Sequence, residues 1–201
     1  VKLRPGLAAA ALAAAALLAG GCDRLFAPAK GPFNGIDVTG GPMGSTLELS
    51  DHEGRPRSLA DFRGKVVVVV VGFTHCPDIC PTALADMAKA VRTLGDRGGE
   101  VQVLFVTLDP KRDTAEVLKQ YVPAFHPAFI GLRGDAAQTA AFTKGLHVYA
   151  NERPGKTPDT YTVDHSAQHF VFDREGRLRL LLPPNMATAA IASDLRVLMN
   201  G

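Results

Sequence analysis

The sequence predicts an α/β domain built on a mixed central sheet flanked by helices. Three observations carry this. Val66–Val71 is an unbroken run of six valines, and Val101–Leu108 is a second, mostly apolar run. Runs of β-branched residues with no polar alternation fit strands buried on both faces, as when helices cover a parallel sheet. A stretch with helical spacing, Pro81–Leu94, lies between them. The last third changes pattern: two apolar segments flank a polar Asp173–Gly176 turn, and an amphipathic stretch follows, which reads as an antiparallel pair and a closing helix.

In chain order, residues 1–21 carry Lys2 and Arg4, an apolar Leu7–Leu18 run and a small-residue end before Cys22. This pattern belongs to an export signal rather than to the fold. It resembles a bacterial lipoprotein signal, with Cys22 as the lipidated residue, although Ala19 stands three places before it where Leu is usual. The folded part is then expected on the extracytoplasmic side, held to a membrane by its N-terminal anchor. Residues 22–44 are rich in Gly, Pro and Ala without periodicity and read as a flexible tether, leaving 45–201 as the domain. Thr46–Ser50 and Arg57–Leu59, around the turn Asp51–Gly54, form a small extra N-terminal hairpin, and Ser58 caps a short turn ending at Gly64. After the valine strand, the Pro81–Leu94 helix presents Leu84, Met87, Ala88 and Val91 on one face and stops at Gly95. Past Val101–Leu108 come a helix at Thr114–Tyr121, a short apolar segment at Phe129–Leu132, a helix at Asp135–Lys144 and a short strand at His147–Ala150. Asn151–Thr160 is a polar loop. Tyr161–Phe172 is a strand region interrupted by Asp164-His165-Ser166, Leu178–Leu182 is its return strand, and Ala187–Met199 is the last helix. This order is the thioredoxin-like layout with an extra hairpin and an insertion.

Beyond residue 21 the chain holds 20 basic and 20 acidic residues. There is no Trp and little other aromatic surface, so neither an electrostatic footprint nor a stacking platform for nucleic acid is present.

Of three cysteines, Cys22 is assigned to lipid, leaving Cys76 and Cys80. They lie in GFTHCPDICPT (Gly72–Thr82), where the valine strand turns into the next helix. A four-residue spacing at helical pitch puts both sulfurs on one face, with backbones roughly 6 Å apart. Ligands of open α/β sheets sit beyond the carboxyl ends of strands, and a helix N-terminus favours the thiolate. Two such thiols can exchange disulfides or hold one soft metal ion. A disulfide this short would add little stability by chain entropy. Among six histidines, His165 is the candidate third group. Asp164 and Ser166 flank it in a strand break, and an acidic or carbonyl partner on its second ring nitrogen would fix its tautomer. His169 shares its face if the strand is regular.

Four blocks, in order, carry a family resemblance: GFTHCPDICPT, FVTLDPKRDT (Phe105–Thr114), YVPAFHPAFIGL (Tyr121–Leu132) and YTVDHS (Tyr161–Ser166). They resemble the Sco/SenC family of copper-binding, thioredoxin-like proteins of cytochrome c oxidase assembly. The resemblance implies one copper ion, as Cu(I) or Cu(II), bound by Cys76, Cys80 and His165. It also brings forward Asp78 and Asp109, with Asp164 beside them, as residues supporting the site. The partners it implies are the copper-bearing subunit of the oxidase and another periplasmic copper chaperone. The expected place is the periplasmic face of the bacterial inner membrane, with the chain lipid-anchored and monomeric. The donor set suits copper: two sulfurs and an imidazole are soft to borderline ligands, structural zinc would want a fourth and iron–sulfur clusters four thiolates. The competing function is a membrane-tethered thiol–disulfide oxidoreductase that keeps the oxidase's copper-site cysteines reduced through Cys76 and Cys80.

Overall fold

The computed structural model describes residues 31–44, 47–157 and 160–201. The expected signal segment, Cys22 and the start of the tether lie outside them. Among the described residues, no helix is long and apolar enough to cross a membrane.

The unit Pro32–Gly201 is built on an eight-stranded mixed sheet. Its strands are β1 (Ile36–Asp37), β2 (Leu49–Asp51), β3 (Pro56–Arg57), β4 (Val66–Gly72), β5 (Val101–Thr107), β6 (Ile130–Arg133), β9 (His169–Phe172) and β10 (Leu178–Leu182). The order across the sheet is β1-β10-β9-β4-β5-β6-β2-β3. A separate two-stranded sheet pairs β7 (Ala150–Arg153) with β8 (Thr162–His165). The helices are α1 (Ile79–Thr93), α2 (Ala115–Tyr121), α3 (Ala136–Gly145) and α4 (Thr188–Met199).

β4 is central because of its composition. Strand side chains alternate between faces, so Val66, Val68 and Val70 enter the core under α1 and α4. Val67, Val69 and Val71 enter the core on the other side, with Phe142 and Phe170. All seven residues of β4 are buried. β4 runs parallel to β5 and antiparallel to β9. The α1 face expected from periodicity, Leu84, Met87, Ala88 and Val91, is the buried one.

Two edge turns repeat one chemistry. Asp51-His52-Glu53-Gly54-Arg55 and Asp173-Arg174-Glu175-Gly176-Arg177 each begin with a buried Asp. Asp51 accepts the backbone N–H groups of Glu53 and Arg55, both at 2.9 Å, and the Nε of Arg55 and Arg57. Asp173 accepts the N–H groups of Glu175 and Arg177 and the Nε of Arg177. Gly54 and Gly176 both adopt φ of 79°, the left-handed value that glycine takes without strain.

The expected boundaries shift in three places. The hairpin before β4 is β2–β3, and β2 also pairs with β6, so it extends the sheet. The tether reading of 22–44 does not hold to its end: Ile36 and Asp37 pair with Leu181 and Leu180 of β10. The preceding turn is held by the buried Asp194, which accepts from Asn34 N at 2.9 Å and Gly35 N at 2.8 Å. A two-residue edge strand leaves no periodicity to read. The polar loop after His147–Ala150 contains most of β7, whose four residues are all exposed. Exposed strands lack the apolar alternation that marks a strand in sequence.

Candidate metal centre

At its C-terminal end β4 gives way to a turn, Phe73–Asp78. A wholly buried carboxylate pins this turn. Asp113 accepts from Thr74 N (3.0 Å), Thr74 Oγ1 (2.6 Å) and Thr107 Oγ1 (2.6 Å). Asp113 lies in the FVTLDPKRDT block, one residue before Thr114, which caps α2. α1 begins at Ile79, two residues before the expected Pro81. Pro81 still falls in the first turn, where helix amides lack partners and a missing N–H costs nothing. Cys80 is therefore inside the helix, and its N–H donates to Cys76 Sγ at 3.5 Å. Both cysteines are free, Cys76 half-buried and Cys80 buried. For Cys80 the expected helix-end preference for thiolate is overridden. Burial pushes its thiol well above the usual range, and the neighbouring Cys76 and Asp113 add to this. Gly72 makes room for the Cys80 sulfur: a Cβ there would lie 2.6 Å from it.

His165 ends β8 and arrives over the same turn. Its Nε2 stands 3.9 Å from Cys80 Sγ, across 85 residues of chain. Its Nδ1 is 2.7 Å from the Ser166 carbonyl oxygen. A carbonyl only accepts, so Nδ1 carries a proton and the neutral ring turns an unprotonated Nε2 toward the sulfur. Phe73 meets the imidazole edge-on, with centroids 6.1 Å apart. Phe73, Cys76, Ile79, Val163 and His165 border a cavity of about 390 Å³. A larger hollow, about 480 Å³ beside β2 and β3, is lined by no Cys or His.

The three acidic candidates diverge. Asp78 is exposed, and its carboxylate accepts from Thr82 Oγ1 at 3.4 Å. Asp164 turns to Arg153 on β7 at 3.0 Å, so the group on the second ring nitrogen of His165 is a backbone carbonyl. Asp109 is buried and accepts from Tyr161 Oη at 2.6 Å while pairing with Arg112. Burial, then the bond to Asp109, pushes the Tyr161 phenol up to about 12, so it donates across the neutral range. Neither Arg112 nor Tyr161 had been singled out in the sequence.

His169 does not share a face with His165. Residues 166–168 break the strand, and His169 opens β9 in the main sheet, 3% exposed. Burial, then the nearby His165, depresses its pKa to about 4. His75 remains largely exposed, and His52 Nδ1 accepts from Gly131 N.

Among the described residues no three His, Cys, Asp or Glu side chains form a finished metal cage. The groups in contact are Cys80 and His165, with the Cys76 sulfur turned to the Cys80 amide one helical turn away. This arrangement can ligate a soft cation or exchange disulfides.

A family model described as SCO1/SenC matches residues 37–200. The mitochondrial SCO2 homologue of Bos taurus is 44% identical over 132 residues, 65% of this chain and 50% of that protein. The chain spans about half the length of the mammalian relatives it matches. An SCO2-like protein of Rickettsia prowazekii is 38% identical over 151 residues, 75% of this chain and 73% of the relative. Among solved structures, Bradyrhizobium japonicum ScoI with copper bound superposes with a TM-score of 0.71 at 34% identity, covering 77% of this chain and 98% of that one.

Proposed function

The chain belongs to the SCO1/SenC family, and on that premise we propose that it binds one copper ion through Cys76, Cys80 and His165 and delivers it during cytochrome c oxidase assembly. One observation carries the ligand set: an imidazole nitrogen with its lone pair free lies 3.9 Å from a buried thiol. Two ligands of one ion, each a little over 2 Å from it, stand about that far apart. The copper bound to the ScoI structure supports the choice of metal, as does the soft character of the donors. Each sulfur binds as the thiolate, so uptake displaces the Cys80 proton that burial otherwise retains. The partner is the copper-bearing subunit of the oxidase, with another periplasmic chaperone as donor. Cys22 carries the lipid that holds the protein at the periplasmic face of the inner membrane.

Titration of the reduced protein with Cu(I), followed by metal analysis, tests this reading. One copper per chain is expected, and His165→Ala, Cys76→Ser and Cys80→Ser should each weaken binding by at least about 100-fold, more than the loss typical of a residue that only supports a ligand. Wild-type affinity in His165→Ala would overturn the ligand set.

A second reading rests on the asymmetry of the thiols. Cys76 is half-buried at a helix end and Cys80 is buried beneath it, an arrangement of attacking and resolving cysteines that suits reduction of the oxidase's cysteines. Copper-free protein that reduces a mixed disulfide equally well with and without His165 would favour it.

A further inference from the structure

The strand that carries His165 belongs to neither edge of the main sheet: among the described residues β8 pairs with β7 alone. Something else must hold its tip over the dithiol turn. Val163 gives part of the answer by burying its side chain in the core that includes Phe73. The exposed Lys111–Glu152 pair adds a surface contact of little worth. The root of the strand is held differently. Tyr161 immediately precedes β8, and three contacts from the loop after β5 converge on it. Its Oη donates to Asp109 at 2.6 Å. Its carbonyl accepts from Arg112 Nη1 at 2.9 Å. Its ring lies under the Arg112 guanidinium, 3.7 Å from the centroid. Asp109, with its side chain wholly buried, pairs with Arg112 Nε.

The same loop is joined to the dithiol turn, because Thr74 N and Thr74 Oγ1 donate to Asp113 at 3.0 and 2.6 Å. The Arg112 guanidinium also lies 5.9 Å from the Phe73 ring, which abuts His165. Arg112 thus faces both halves of the site. Tyr161 is four residues from His165, a lever of roughly 13 Å in extended chain, so slack at the root is amplified at the ring.

We propose that Asp109, Arg112 and Tyr161 form a latch that fixes the His165 hairpin over the dithiol turn, and that its strength sets how fast bound metal leaves. They are positioning residues, touching no metal. The metal half of the proposal rests on the reading of His165 as a ligand; the positional half does not. A hydrogen bond to a charged partner in a buried setting is worth about a tenfold factor or more, which sets the scale expected.

Two variants of the full chain test the latch. Tyr161→Phe keeps the stacked ring and the carbonyl contact and removes one O–H donor. Arg112→Lys keeps the charge and removes the planar fork. In metal-free protein, amide hydrogen exchange at Thr162–His165 should quicken about tenfold in both, with amides of β4 and β5 unchanged. With copper bound, release to a chelator should quicken about tenfold at unchanged stoichiometry. Hairpin exchange within twofold of wild type would overturn the latch. Equal acceleration in β4 and β5 would overturn it too, by making the network general support for the fold. Faster exchange with unchanged copper release would overturn the link to metal loss. If wild-type protein binds no copper, or binds it without His165, the proposed function fails while the exchange measurement still decides the latch.

Discussion

Compare β4 with β8. β4 lies between two partner strands and every residue of it is buried. Among the described residues β8 has one partner, β7, which is exposed along its whole length. The sulfurs follow the first strand and the imidazole ends the second, so the site joins a wholly buried strand to one in a small, separate sheet. Local opening costs least where few apolar contacts are broken. In a site divided in this way, local opening is expected first at the imidazole and last at the thiols.

Four measurements probe that contrast, in order of decreasing effect. Phe170 sits opposite Val69 in the ladder and is wholly buried. Phe170→Ala should cost about 3–5 kcal/mol in denaturant unfolding. Gly72→Ala acts where the firm strand meets the site: the added Cβ would press on the Cys80 sulfur at 2.6 Å and on Phe105 at 3.0 Å. Overpacking of this kind should cost about 1–3 kcal/mol, and copper affinity should fall about tenfold with it as the sulfur is displaced.

Acid should strike the junction between the two regions. His169, which opens β9, has an ordinary value of 6.5 and a folded value near 4, set first by burial and then by His165. The unfolded chain therefore binds the proton first. Stability is full above pH 6.5 and falls as the pH drops toward 4. Melting curves across that window should lose most of the slope in His169→Phe. The smallest effect belongs to the hairpin surface. Glu152→Ala on β7 breaks only the exposed pair with Lys111 and should change global stability by less than about 0.5 kcal/mol.

The same contrast separates what could be read along the chain from what could not. Apolar residues at strand and helix periods announce buried elements, so the valine strand, its parallel neighbour, the buried face of α1 and the closing helix were legible. So were both Asp-led turns, because their chemistry is local. β7 and β1 escaped, one exposed and one too short to show a period. The start of α1 was misplaced because a proline in a first turn marks the helix only to within two residues. At the site, the cysteines are neighbours in sequence and were found as such. Thr74 meets Asp113, and Tyr161 meets Asp109 and Arg112, across 39 to 52 residues, a separation that no local pattern encodes.

Composition and periodicity by themselves determined an α/β domain with two thiols at the end of a buried strand, since burial of apolar runs and helical pitch act over a few residues. Only the tertiary structure decided how near the His165 ring comes to Cys80, which ring nitrogen faces the sulfur, that burial keeps a proton on Cys80, and that Asp109 turns to Arg112 and Tyr161. Each of these depends on groups brought together by closing loops of tens of residues, and on the low-dielectric surroundings that exist only once those loops are closed.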